Sequence, residues 1–593
     1  MLNELSIRCC TTSTARDLKT VSSRVEHEGL SFFTITLPSF GKDLLKSLDQ
    51  GYVGSDQFCG FRRSGGLPAF LQGFLCLVFD RSSGVILQNP CTEAIYSIRQ
   101  LTCVFEKIAL ECTEHRTRKA MQGYVQIESD IRTVDRRWGD FSQLTQLRNS
   151  FSMLFGDSID RVNQDLRLSR YDRFMPKHGP GNTADRLVGN QKFYTASWTS
   201  RLESILPVGE FVIPNWRYRR DLRGIDIRDP GGELPVRVTP VPKNLKTPRI
   251  IAIEPTCMQY AQQSILRAIL DSFEQDPFLR EFVTFKDQRP NQLMALQGSL
   301  DGSLATVDLS EASDRVSNQL VRYLLAPWPD FLEAVDASRS RTADVPGYGE
   351  VRLAKFASMG SALTFPIETM VFLSIVFNRL RASSPHLRLE PLKGVALRKV
   401  RAYGDDLIVP IDLVRDVVSD LESLGFKVNK GKTFYSGLFR ESCGKEYYAG
   451  QDVSIVKLRT VIPTTRRNAS EVVAMVAFRN QLYFAGLWTT CQWLDEKLTK
   501  LLGNFPLLSP TSPGLGRHSF LDLEKYPWQT GMCYQRRSTI AWVTKAKIPE
   551  NGIDGWPALV KCLTTGFNPD EKHLEHSGRP RSLSIKRRRV PLA

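Results

Sequence analysis

Residues 400–410 read VRAYGDDLIVP, and the fold class turns on this stretch. Val400 to Tyr403 and Leu407 to Val409 have the composition of two short strands, and Gly404-Asp405-Asp406 between them suits a tight hairpin turn in which Gly404 is free to take a positive φ. Adjacent carboxylates at such a tip repel each other unless a cation lies between them and a partner, and a divalent metal is the natural solution. Taken alone, the tripeptide is more often only a turn.

A second carboxylate segment lies upstream in LATVDLSEASDRVSNQLVRYLL, residues 304–325. Leu304 to Val307 reads as a buried strand ending at Asp308. After Ser310 the spacing of Val316, Leu320, Leu324 and Leu325 predicts one apolar face of a helix. A single Asp at a strand end commonly serves a turn or a cap. The conjunction changes the reading: Asp308, Asp405 and Asp406 together supply oxygen donors for two magnesium ions. Two such metals about 3.5–4 Å apart stabilise the attacking and leaving oxygens of a phosphoryl transfer.

Three further segments surround these carboxylates. In KFASMGSALTFPIETMVFLSIVF (355–377), Ala357, Ser358, Gly360 and Ser361 precede an apolar helix, a loop that lets backbone approach a nucleotide closely and that equally suits a capped core helix. In PVPKNLKTPRIIAIEP (240–255), Lys243, Lys246 and Arg249 recur at three-residue intervals, enough cations to hold a triphosphate, or else a solvated basic face. In GFKVNKGKTFYSGLFRESCGKEYYAG (425–450), Lys430, Lys432, Arg440 and Lys445 alternate with Phe434, Phe439, Tyr447 and Tyr448. That mixture suits a surface gripping a phosphate backbone and a primer end, or a strand pair whose rings are core.

The whole chain has 593 residues, 42% hydrophobic and 24% charged, and 79 Lys+Arg against 63 Asp+Glu leave a net charge of +16. This is globular usage with several domains' worth of length, and the positive excess calls for a polyanionic partner. Twelve cysteines are scattered from Cys9 to Cys562 without CxxC or zinc-finger spacing, which points away from a structural zinc site and a disulfide scaffold. MLNELSIRCC lacks the apolar stretch of a secretory signal, and the longest apolar run, Leu67 to Phe79, is broken by Gln72 and Gly73. The expectation is a soluble protein of a reducing compartment. No GxxxxGK[ST] loop or protease constellation is present. The terminal RPRSLSIKRRRVPLA, with its Lys586 to Arg589 cluster, reads as a disordered RNA-binding end, with contact to an acidic membrane surface as the lesser alternative.

In order, PKNLKTPR, DLSEASD, SMGSALTF, YGDD, NKGKTF and FRESCGKEYYAG resemble the F, A, B, C, D and E motifs of viral RNA-dependent RNA polymerases. The wording is closest to the replicase catalytic subunit of positive-strand RNA bacteriophages, the leviviruses of Q-beta type. HGPG at 178–181 is similar to a family landmark further upstream.

That resemblance implies an α+β right-hand polymerase fold with fingers, palm and thumb, the palm carrying an antiparallel sheet plus helices. The expected division is an N-terminal region at 1–165 that bridges fingers and thumb and possesses any host-factor contact. Fingers with the basic F segment follow at 166–300, the palm at 301–455, and the thumb with a basic tail at 456–593. It implies an RNA-directed RNA polymerase, a nucleotidyltransferase that copies a viral genome without a primer. The metal ligands would be Asp308, Asp405 and Asp406, holding two Mg²⁺ ions or Mn²⁺, with the Leu309 carbonyl available to complete a shell. Lys432 is the expected general acid, with Lys430 close by. Lys243, Lys246, Arg249 and Gly360 would contact the nucleotide, and Lys430, Arg440 and Lys445 the RNA.

Many relatives in the wider superfamily use an Asp and an Asn for the ribose. Here Ser313 and Glu368 hold those places, so Asp314 and Ser358 are assigned to the 2′-hydroxyl. The implied partners are template and product RNA, ribonucleoside triphosphates, host elongation factors Tu and Ts and a ribosomal small-subunit protein. The implied location is the cytoplasm of an infected bacterium, with no membrane anchor. A reverse transcriptase shares the YxDD pattern, but the small Ser313 stands where those enzymes place an aromatic gate. The other alternative is an inactive RNA-binding protein with a polymerase fold.

Overall fold

The computed structural model describes residues 1–9, 14–386, 389–521, 523, 531–533, 536–566, 572–576 and 580–593. Its architecture is α+β, and its centre is a three-stranded antiparallel sheet. Arg401–Tyr403 and Asp406–Pro410 form a hairpin with Tyr403 opposite Asp406, and Asp406–Pro410 pairs on its other edge with Leu304–Val307. All four residues of Leu304–Val307 are buried, as are Leu407 to Pro410. These strands therefore read as continuous apolar runs rather than as alternating ones, because the sheet is covered on both sides.

Helices Arg289–Asp301 and Thr364–Ser383 pack on this sheet. Thr364–Ser383 is apolar around nearly its whole circumference because it is enclosed between the sheet and helix Thr145–Arg167. At the hairpin tip Gly404 adopts φ +63°, and a Cβ there would lie 2.3 Å from Phe365 Cε2. The turn thus needs glycine twice over, for its backbone angle and for the ring packed against it. The expected helix after Ser310 begins only at Asn318. Ser317 Oγ caps it by accepting from the N–H groups of Gln319 (3.1 Å) and Leu320 (3.3 Å), which leaves Val316 in the preceding turn.

A second sheet carries the upstream basic segment. Val236–Val241 pairs antiparallel with Arg249–Ile253 and parallel with Thr342–Val345, which in turn pairs with Gly349–Arg352. Lys243 and Lys246 lie on the connection between its first two strands. Gly360 docks onto this sheet at φ +139°, and a Cβ on it would fall 1.9 Å from the Ala252 carbonyl oxygen. Ala252 N–H donates to the Met359 carbonyl at 3.0 Å.

Two large cores hold the molecule together. One gathers the central sheet with helices Thr145–Arg167, Thr256–Glu274 and Thr364–Ser383. The other joins residues between Leu5 and Ile108 to residues between Phe434 and Phe505 and to Trp542. The first 165 residues are therefore shared between the two cores and a smaller cluster in which Met121 and Tyr124 pack on the second sheet. Arg99 of helix Thr92–Cys103 reaches Glu446 through a bidentate pair, Nη2 to Oε1 at 2.6 Å and Nε to Oε2 at 3.2 Å, with both side chains buried. Asp49 Oδ1 accepts from the N–H groups of Tyr435, Ser436 and Gly437 at 3.0–3.1 Å.

The basic end corrects the expectation of disorder. Ser582–Pro591 is a strand paired antiparallel with Arg536–Lys547 along its whole length. It is held because Val590 is buried and Ile585 packs against the second core. No described helix is long and apolar enough to cross a membrane.

Candidate active site

Asp308 follows the buried strand Leu304–Val307, and Asp405 and Asp406 sit at the tip of the neighbouring hairpin, so the strand pairing brings the three carboxylates to one end of the sheet. Asp308 Oδ2 accepts from Asn429 Nδ2 at 2.7 Å, and Lys432 Nζ lies 3.7 Å from Asp308 Oδ1 and 3.5 Å from Glu441 Oε1. Asn291 Nδ2 donates to the Asp406 carbonyl at 3.2 Å and steadies the turn from behind.

Burial and mutual repulsion dominate the electrostatics. Burial, then the charges of Asp405 and Asp308, push Asp406 up to about 7. Burial pushes Asp308 up to about 6, with Asp405 adding to the rise and Lys432 opposing it. Asp405 is likewise raised by burial, while Lys432, Lys243 and Arg249 pull it down. Lys432 is held above its ordinary value chiefly by Glu441. Lys243 is lowered by desolvation and by the neighbouring cations Arg249 and Lys432.

Lys243 and Arg249 are near enough for their charges to act on Asp405, and both side chains are exposed to solvent. Lys246 is exposed, and its backbone N–H donates to Asn244 Oδ1 at 3.1 Å. Among the described residues no three Asp, Glu, His or Cys side chains are drawn together as a closed metal cage. The three carboxylates lie at one end of the sheet as hard oxygen donors whose ionisation burial and mutual charge resist, an environment that a divalent cation would relieve.

The residues expected near the ribose form a separate buried network. Lys355 Nζ contacts Asp314 Oδ1 at 3.1 Å and Glu128 Oε1 at 3.2 Å, and lies 3.7 Å from the centre of the Tyr124 ring. Tyr124 Oη and Ser358 Oγ share a hydrogen bond of 3.0 Å, and Ser358 is buried. Glu368 is buried close enough to Asp405 and Asp314 for both to raise its carboxyl further above the value that burial sets, and its Oε2 has no hydrogen-bond partner.

Two expectations in the downstream basic segment need correction. Arg440 is fully buried: its Nε donates to the Leu304 carbonyl, and its Nη1 donates to the Gly437 and Phe439 carbonyls, both at 2.7 Å. It braces the sheet and offers no surface to RNA. Phe434, Phe439, Tyr447 and Tyr448 are buried as well, so the rings are core. Lys445 is occupied by Asp452 at 2.7 Å, whereas Lys430 is exposed beside the site.

A polar cavity of about 380 Å³ opens beside the carboxylates, lined by Asp308, Asp406, Lys432 and Glu441 together with Lys42, Lys107, Lys457 and Arg459. Sequence reasoning missed Lys42, Lys107, Glu441, Lys457 and Arg459. Only Glu441 carried a signal, its place in the FRESCGK string. Lys107 is lowered by burial, and Lys457, Lys243 and Lys432 add to that lowering. The cations of the N-terminal segment and of the central motifs therefore share one field.

Comparison with known proteins covers the same central part. Residues 233–484 match the family model described as RNA replicase, beta-chain. The chain is 35% identical over 254 residues to the RNA-directed RNA polymerase subunit beta of Qbeta virus (strain MX1), covering 42% of this chain and 39% of that one. It is 39% identical over 213 residues to the RNA-directed RNA polymerase beta chain of Escherichia phage MS2, covering 36% of each. These matches span about two fifths of the length of the curated relatives. Among solved structures, the RNA-dependent RNA polymerase of a human picorbirnavirus overlays 45% of this chain and 55% of its own at 14% identity and a TM-score of 0.33.

Proposed function

From a chain whose residues 233–484 belong to the RNA replicase beta-chain family, we propose an RNA-directed RNA polymerase that copies a positive-strand phage genome from ribonucleoside triphosphates, starting without a primer. The observation that carries this reading is the strand pairing that brings Asp308, Asp405 and Asp406 to one end of the central sheet, with Lys432 3.7 Å from Asp308. In this reading residues 301–455 serve as palm, 166–300 as fingers and 456–593 as thumb, and residues 1–165 link them.

Asp308 and Asp405, supported by Asp406, would hold magnesium or manganese, which when bound would acidify the 3′-hydroxyl and neutralise phosphate charge. Lys243 and Arg249 hold the triphosphate, and Lys107 and Lys42, which line the cavity beside Asp308 and Asp406, add positive charge on the phosphate side. Lys432, protonated under the influence of Glu441, donates a proton to the departing pyrophosphate. Asp314, positioned by Lys355, and Ser358 and Glu368 lie on the ribose side. Most of the acceleration then comes from positioning and fixed charge, as in other phosphoryl transfers. The resemblance also brings in elongation factors Tu and Ts and a ribosomal small-subunit protein, which copurification from an infected bacterial host would reveal.

The test is incorporation of labelled ribonucleotides on an RNA template with Mg²⁺, comparing the unaltered chain with Asp405→Asn. Synthesis that the substitution abolishes is expected. Equal synthesis by both proteins would remove the metal assignment, and preferred incorporation of deoxynucleotides would turn the reading toward a reverse transcriptase.

A further inference from the structure

We propose that the two-stranded ribbon of Arg536–Lys547 and Ser582–Pro591 is an RNA-backbone-binding element outside the polymerisation cleft. This rests on the polymerase reading only for the identity of the polyanion. Lys586, Arg587, Arg588 and Arg589 are four consecutive exposed cations in the second strand. Among the described residues no carboxylate forms an ion pair with any of the four, and Arg589 makes only a long contact of 3.5 Å to Ser538 Oγ.

Extended backbone sends Lys586 and Arg588 to one face and Arg587 and Arg589 to the other, with cations on each face about 6.6–6.8 Å apart. Their partners across the ribbon are neutral: Val543, Ala541, Trp542 and Ile540 respectively. The charge is extended by exposed Lys545 and Lys547 on the facing strand. It is extended again by Arg466, whose guanidinium lies 5.5 Å from the centre of the Trp542 ring.

Like charges concentrated on one strand are unfavourable without a counter-charge. Two features favour RNA over the alternatives. Three of the four cations are Arg, whose fork matches phosphate oxygens in pairs. The cations also alternate between faces, so a strand can wrap them, whereas a flat bilayer would meet only one face. Val590 and Trp542 are buried, and Ile540, about 40% exposed across from Arg589, is a single apolar side chain, too little to anchor the ribbon in lipid. The remaining explanation is that charge merely keeps an edge strand from pairing with other chains.

The experiment titrates the full chain with a labelled hairpin RNA and with labelled oligouridylate across a salt series. It compares the unaltered protein with a variant carrying Lys586→Gln, Arg587→Gln, Arg588→Gln and Arg589→Gln. Loss of four phosphate contacts should weaken binding roughly ten- to a hundredfold at about 0.15 M salt and lower the log–log salt slope by about 3. An all-Lys variant (Arg587→Lys, Arg588→Lys, Arg589→Lys) should restore most of the slope.

Unchanged affinity and slope in the Gln variant would overturn the proposal. So would self-association of that variant at unchanged RNA affinity, which would leave the cations an edge-blunting role. Charge-dependent binding to phosphatidylglycerol vesicles, with RNA binding unaffected, would overturn it in favour of a membrane contact. If the quadruple variant fails to fold, Arg587→Gln with Arg589→Gln alone should remove about half of the slope change. Binding is read without nucleotide, so failure of the ribbon and failure of the polymerase reading are separate results.

Discussion

Replacing Asp308 with Asn should stabilise the metal-free protein while abolishing RNA synthesis. Asp308 is pushed up to about 6, roughly two units above an ordinary carboxyl, and at ~1.4 kcal/mol per unit its ionisation disfavours the fold by about 3 kcal/mol above neutral pH. One fifth of the side chain is exposed and the contact to Lys432 at 3.7 Å is lost, so roughly 1–2 kcal/mol remains for the variant to gain.

The raised folded value sets the sign. The contribution of Asp308 to stability is complete below about pH 4 and is lost as pH rises through about 6. The advantage of Asp308→Asn should therefore be absent near about pH 4, grow between about pH 4 and 6 and level off above about pH 7. The assay is urea unfolding in EDTA across this range, read as the midpoint shift of the first transition, since two large cores need not melt together. Added Mg²⁺ should raise the midpoint of the unaltered protein far more than that of the variant. A variant less stable than the original at pH 8 in EDTA, or a difference that ignores pH, would refute the reasoning.

Lys107→Ala should raise the nucleotide KM about tenfold, equivalent to ~1.4 kcal/mol, with RNA affinity in filter binding unchanged, because its ammonium lines the cavity beside the carboxylates. Gly360→Ala should cost ~2–5 kcal/mol and lower the thermal midpoint, since it combines backbone strain with a clash at the Ala252 carbonyl. Lys355→Met should cost ~3–5 kcal/mol by leaving the Glu128 and Asp314 charges unpaired. Glu128→Gln in the same chain should recover part of that loss in a denaturation cycle.

The carboxylate site was legible because its signals are local: a glycine turn between apolar runs and an Asp closing a buried strand. Charge runs were less legible, because composition does not say which way a cation faces. Lys243 and Arg440 look alike in sequence, yet one is exposed and within the electrostatic reach of Asp308, and the other is buried under the carbonyls of Leu304, Gly437 and Phe439. Lys355 reads as a loop residue and is completely buried, because helix Glu114–Trp138 carries Glu128 and Tyr124 to it from far upstream. Lys42 and Lys107 lie in segments without motifs and reach the cavity only through the second core. The tail was misread because charge density suggested disorder, while the pairing strand that orders it begins 46 residues earlier, at Arg536 against Ser582.

The N-terminal segment is tied to the carboxylate site by charge as well as by packing. In the hairpin of Phe439–Ser442 and Lys445–Tyr448, Glu441 stands directly opposite Glu446, a repulsive cross-strand pair. The hairpin tolerates it because each carboxylate has its own cations. Glu441 is met by Lys432, which also reaches Asp308, and Glu446 by Arg99 at 2.6 Å and Lys457 at 3.9 Å. Without Arg99, Glu446 would keep only its long contact to Lys457, and its charge would bear more heavily on Glu441. Helix Thr92–Cys103 contributes no side chain to the carboxylate cluster, yet its Arg99 lines the cavity beside Asp308 and Asp406 and neutralises the glutamate that stands opposite the partner of Lys432.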